Sequence, residues 1–172
     1  MKKFAPIALL AALPFTVAYA ATDVPAAIAV PAGHQVSMVT VGVGEITYEC
    51  RAKADASGVY TWAFVAPAAV LYSADKSKTV GTYYGGPTWQ ANDGSKVTGK
   101  QLAVSPSPTP KSIPLQLVQA APTSGSGEMA GVSYIQRLNT LGGVAPAEVC
   151  DANTVGAKQQ VNYQADYVFY KP

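Results

Sequence analysis

One histidine, two cysteines and charged residues at only 13% of 172 leave this sequence short of the side chains that most site chemistry uses. Each shortage excludes something. His34 and two cysteines a hundred positions apart cannot supply the closed four-ligand set of a structural zinc site, so no metal is expected. A serine triad needs a nucleophile elbow of the G-x-S-x-G type beside its base, and the chain has none. His34 falls instead in a Pro31-Ala-Gly-His34 turn, where an exposed imidazole is the ordinary outcome. Gly42-Val-Gly44 lacks the third glycine and the following helix of a pyrophosphate-binding unit, so no dinucleotide cofactor is expected. The charge is also scarce in any one sign. The formal +2 comes from Lys2 and Lys3, and the remaining ten basic residues (12 minus 2) match ten acidic ones. A neutral chain with scattered charge offers no electrostatic footprint for nucleic acid or an anionic membrane.

Long hydrophobic runs occur only at the start. Met1-Lys2-Lys3, the apolar stretch Phe4 to Val17 and Ala18-Tyr19-Ala20 have the three-part pattern of a secretory signal peptide, expected to be removed after Ala20. Pro6 and Pro14 interrupt the stretch, which is too short for a retained anchor. No later segment suits a membrane span. The reading is a leader at 1–20, a single domain at 21–172, and work outside the cytoplasm, in the periplasm or beyond. In that oxidising setting Cys50 and Cys150, the only thiols, are expected to form one disulfide.

What the chain does have is short runs of β-branched and aromatic residues between Gly, Pro, Asn and Asp. They predict strands at 35–41, 45–51, 59–66, 70–72, 79–84, 96–104, 115–119, 132–140 and 160–170. Ser57-Gly58, Asn92-Asp93-Gly94 and Leu141-Gly142-Gly143 supply turns. Ile46, Tyr48 and Cys50 alternate with Glu45, Thr47 and Glu49, which gives that strand one dry face. The run 59–66 is apolar on both faces and is expected to lie centrally. A weak helical hint covers 145–149. The prolines of 105–112 preclude a ladder there, and 123–127 reads as a loop. The fold class is all-β: a single antiparallel β-sandwich or barrel-like domain with long loops.

Several strings in order carry a resemblance: Trp62-Ala-Phe-Val-Ala-Pro67, Gly86-Pro-Thr-Trp89 with Asp93-Gly-Ser95, Tyr134-Ile-Gln-Arg137 with Thr140-x-Gly-Gly143, and Tyr163-x-Ala-Asp-Tyr-x-Phe-Tyr170. From about Ile46 to the end the chain resembles an exported bacterial and fungal family catalogued as domain of unknown function 3455. The resemblance implies export and a shared fold, and no reaction. Tyr83 stands where the family pattern leads one to expect a His, and Leu115-Gln116 where it has a Trp. No proton-transfer or metal role built on that His carries over.

Two groups of residues remain as candidates. Tyr83, Tyr84, Trp89 and Asp93 cluster around a Gly-Gly-Pro turn, where aromatic faces beside polar groups suit a sugar or another flat ligand. The competing reading is that Trp89 and a Tyr fill the core while Asp93-Gly94 turns a hairpin. Arg137 sits among Ile135, Leu138 and tyrosines, where a guanidinium needs a partner. It is expected to be paired, with Asp166 or Glu49 as the acid; the other readings are a solvent-facing position and an anchor for a carboxylate or phosphate in a cleft. Glu45 and Glu49, about 13 Å apart along a strand, are too distant for two-carboxylate hydrolysis. The leading expectation is an exported, non-catalytic domain that binds a small molecule, glycan or protein through its aromatic-rich loops. The alternatives are a structural or cell-surface protein without a ligand, and a hydrolase whose carboxylates meet only in the fold.

Overall fold

A computed structural model describes residues 24–123 and 125–172. The leader reading at 1–20 lies outside these residues. Eight antiparallel strands follow one another in a single sheet that closes in a ring: β1 (Gln35–Ala52), β2 (Tyr60–Ser73), β3 (Thr79–Tyr84), β4 (Thr88–Ala91), β5 (Lys96–Ser105), β6 (Leu115–Ala120), β7 (Tyr134–Gly142) and β8 (Lys158–Lys171). Each pairs with its sequence neighbours, and β1 also pairs with β8 along most of its length. Of the two expected all-β forms, the barrel-like one describes it, since there is one sheet and not two. None of the helices among the described residues is long and apolar enough to cross a membrane.

The nine expected strands become eight by two fusions and one addition. The runs at 35–41 and 45–51 join because Gly42 and Gly44 lie inside β1, where packing demands small residues. A Cβ on Gly42 would stand 2.6 Å from Tyr167 Cε2, and one on Gly44 would fall on the Ala68 carbonyl oxygen. The runs at 59–66 and 70–72 likewise join through Pro67 into β2. Strand β4, only four residues between Pro87 and Asn92, was hidden in the turn-rich sequence around it. Residues 145–149, where a helix was hinted, are irregular.

The expected central position of 59–66 is corrected. Tyr60–Ala66 pairs only with β1, because β3 joins β2 from Ala68 onward. This stretch is an arm projecting past β3, and Phe64 on it is 56% exposed. The apolar residues of the arm are therefore only partly covered. Trp62 Nε1 donates to the Glu148 carbonyl at 2.8 Å, so the 144–157 loop lies over one face. The same loop is fastened to Cys50, whose backbone exchanges hydrogen bonds with Ala157 and Gly156 and whose sulfur is bonded to Cys150. The Cα atoms of the two cysteines are 5.5 Å apart.

Alternation along the strands sorts the core in two. Leu71, Tyr83, Trp89, Val118, Ile135 and Phe169 fill the ring interior. Leu115, Leu117, Leu138 and Val168 face outward and are covered by the N-terminal segment, whose 3-10 turn Ala26–Ile28 sets Ile28 fully buried on them. Gln136 Nε2 fixes that segment by donating to the Ile28 carbonyl at 2.7 Å. Nothing in the alternating patterns announces this outer patch, since its cover comes from a distant part of the chain.

Candidate functional site

The ring has two unlike ends. One is plugged by the loop that carries Met129, which is 1% exposed and packs with the interior cluster. Asp93 holds that plug: one carboxylate oxygen accepts from the Ser95 amide at 2.8 Å, and the other accepts from the Glu128 amide at 2.8 Å. Ser95 Oγ in turn accepts from the Met129 amide. These bonds to the anion hold the Asp93 carboxyl below its usual range, the Ser95 hydroxyl first among them. Asp93 thus acts at the closed end.

The other end opens into a pocket of about 370 Å³. Its walls are apolar, with exposed Phe64 and half-buried Pro87 toward the rim and buried Ile46, Pro67 and Val118 deeper. Its polar groups are Tyr48, Tyr83, Gln101, Gln116 and Arg137. Register explains the convergence. Gln116 on β6 lies opposite Arg137 on β7, which lies opposite Tyr167 on β8, and all three side chains point inward. Tyr83 arrives from β3, stacked on Trp89 with centroids 4.7 Å apart and planes 22° from parallel.

Among the described residues Arg137 is not paired with an acid, contrary to the expected ion pair. Its Nε and Nη2 donate to the Pro114 carbonyl oxygen at 3.1 and 2.9 Å. Asp166, one residue from Tyr167, points to the opposite face by strand alternation and accepts from Asn139 instead. Glu49, next to Tyr48, likewise faces the other way and takes Arg51 at 3.2 Å. A guanidinium therefore sits half-buried at the mouth, tethered to a neutral oxygen.

Its field reaches the interior tyrosines. Burial pushes the phenols of Tyr48, Tyr83, Tyr163 and Tyr167 above their ordinary range, and the Arg137 charge pulls each partway back. Tyr163 and Tyr167 have their hydroxyls 3.3 Å apart. Tyr48 donates to the Gly143 carbonyl at 2.8 Å, and Tyr83 Oη makes no hydrogen bond among the described residues.

The candidates read from the sequence are thus separated. Tyr83 and Arg137 both line the mouth pocket. Trp89 is 1% exposed and fills the core, Tyr84 turns outward to donate to Gln90 Oε1, and Asp93 serves the far end. Adjacent residues of a strand face opposite ways, so Tyr83 and Tyr84 could not share a shelf. Gln101, Gln116, Tyr48 and Phe64 were missed. Alternation puts Tyr48 on a dry face, and the same rule applied to 115–119 puts Gln116 on the face of Val118. The His34 ring nitrogen Nδ1 lies 3.0 Å from the Pro31 carbonyl, and the ring packs edge-on against Tyr134.

A larger groove, about 990 Å³, crosses the outer face of β7, β8, β1, β2 and β3. Val43, Val70 and Leu141 form its exposed apolar row over a floor that includes Gly44 and Gly142. Among the described residues, Glu45 is the one carboxylate in its lining and the mouth pocket has none. Neither lining brings two carboxylates together among the described residues.

No curated protein and no solved structure matches the chain. A family profile does, over residues 31–171, which takes in β1 from its first residue and reaches to the end of β8. The chain belongs to the family described as Protein of unknown function (DUF3455).

Proposed function

We propose that this chain is an exported, non-catalytic β domain that binds a small amphipathic molecule in the mouth pocket. The observation that carries the reading is the combination found at that end: apolar walls, a stacked tyrosine and a cation, the hydroxyl and the charge having no partner acid among the described residues. Concave, mainly apolar sites with a few convergent polar groups are where small ligands bind. The opposite end is plugged, so the pocket is the route by which a ligand would touch the ring interior. Export is supported by the leader pattern of residues 1–20 and by a disulfide that suits an oxidising compartment. Mass spectrometry of protein recovered from the periplasm or medium should give a chain beginning at Ala21.

Ligand-detected NMR with aromatic acids, aliphatic acids and cell-wall glycan fragments tests the binding reading. Native protein should broaden a subset of these, and Gln101→Trp, which sets an indole across the mouth, should abolish the effect. A panel that leaves the native protein silent, or binding indifferent to Gln101→Trp, contradicts it.

A further inference from the structure

We propose that the mouth pocket selects ligands bearing a carboxylate, with Arg137 as anion anchor and the Tyr83 hydroxyl beside it. This deepens the ligand-binding reading above and rests on it. The argument is an inventory of hydrogen-bonding capacity. A guanidinium carries five N–H donors, and Pro114 takes two of them, which leaves three. Gln116 Nε2 donates to Gln101 Oε1 at 2.6 Å, so the Gln101 amide group and the second Gln116 N–H are still unspent. Tyr83 Oη has a proton to give. Against these donors stand fewer acceptors: Gln101 Oε1 and the Pro114 carbonyl are already engaged, Gln116 Oε1 is the one amide oxygen still open, and no carboxylate among the described residues lines the pocket. An acceptor-only head group complements such a set.

The charge and the walls narrow it further. The lining has one cation, which balances one negative charge. Phe64, Pro67 and Pro87 give the lining apolar surface beside that charge, and a doubly charged phosphate would enter with half its charge unmatched. A planar carboxylate meets the guanidinium edge with two parallel bonds. The Pro114 tether holds the guanidinium plane before a ligand arrives, so little side-chain freedom is lost on binding. The rest of the ligand is a short apolar or aromatic body, sized to the 370 Å³ available and resting on Phe64 and Ile113.

Calorimetric titration of the mature, disulfide-intact protein with benzoate, benzamide and inorganic phosphate tests the assignment. Benzoate should bind about tenfold or more tighter than benzamide, the scale of a charge-assisted pair. Arg137→Gln, which can still donate to the Pro114 carbonyl, should bring that ratio near one with the melting transition kept. Tyr83→Phe should weaken benzoate by about threefold and leave benzamide less affected. Equal affinity for benzoate and benzamide, a preference that survives Arg137→Gln, or phosphate binding as tightly as benzoate overturns the carboxylate assignment. If the neutral members of the NMR panel bind and benzoate does not, this inference fails and the pocket reading stands. If neither class binds, both fail.

Discussion

Arg137 meets Pro114 through two donors on one oxygen, Nε at 3.1 Å and Nη2 at 2.9 Å, and this contact takes the place of the ion pair the sequence suggested. The difference is measurable. Stranding a buried acid by Arg137→Met would lower stability by about 3–5 kcal/mol. Here the substitution leaves only the carbonyl of exposed Pro114 to be rehydrated, so the loss should be about 1 kcal/mol. Urea unfolding of the two proteins decides between these figures; a shift at the larger value means that an acid depends on Arg137.

The Cys50–Cys150 bond closes a loop with a sequence separation of 100 and anchors the 144–157 segment against the β1–β2 arm. The chain-entropy account gives about 4–5 kcal/mol for such a loop. Reduction should lower the melting temperature by several degrees. Alkylation of unreduced mature protein should find no free thiol, and two labelled thiols would contradict the bond.

Gly44 allows β1 and β2 to approach at the waist of the ring. A Cβ there would lie on the Ala68 carbonyl oxygen and 2.5 Å from Ala69 Cα, neither of which can swing away as a side chain would. Gly44→Ala should therefore destabilise by about 3 kcal/mol, the upper end for overpacking. Gly33→Ala touches nothing within 4 Å but has φ +88°, so its smaller cost would come from backbone strain alone. Equal midpoints for the two variants would contradict this account of Gly44.

The buried tyrosines give a pH dependence of definite sign. Tyr48, Tyr83, Tyr163 and Tyr167 have raised phenol pKa values, burial first among the causes, so the folded state holds their protons more tightly than the unfolded chain. Their contribution is fully present below the unfolded value near pH 10 and is lost as pH rises above it. Phenolate absorbance should rise in two stages, the later one coinciding with loss of near-ultraviolet dichroism. A single stage completed while the fold persists would show these hydroxyls to be solvated.

Strand identity was legible where one face is dry and the turn residues are distinctive. The bounds expected for the 79–84 strand are those of β3, and β5, β6 and β8 differ by a residue or two. What depended on partners was not. Gly42 and Gly44 read as a break because their reason for being glycine is Tyr167 and Ala68, far along the chain. The arm at 60–66 read as central because exposed Phe64 and covered Trp62 have the same apolar character. The candidate site shares that limit. Arg137 and Tyr83 stood out by residue type, but their sharing one pocket lining with Gln101 and Gln116 is a matter of register around a closed ring, set by eight pairings at once. Hydrophobic alternation tells which face a residue occupies and leaves its height in the ring open.

The most direct measurement is a two-dimensional ¹⁵N–¹H NMR titration of the mature protein with benzoate, following backbone amides and the arginine Nε–Hε signals together. The account predicts saturable shifts at Arg137 Nε–Hε and at the amides of Ile113, Gln116 and Tyr83, all around the mouth pocket. Shifts confined to Val43, Leu141 and Gln164 on the outer groove, or none at the mouth up to millimolar benzoate, would contradict it.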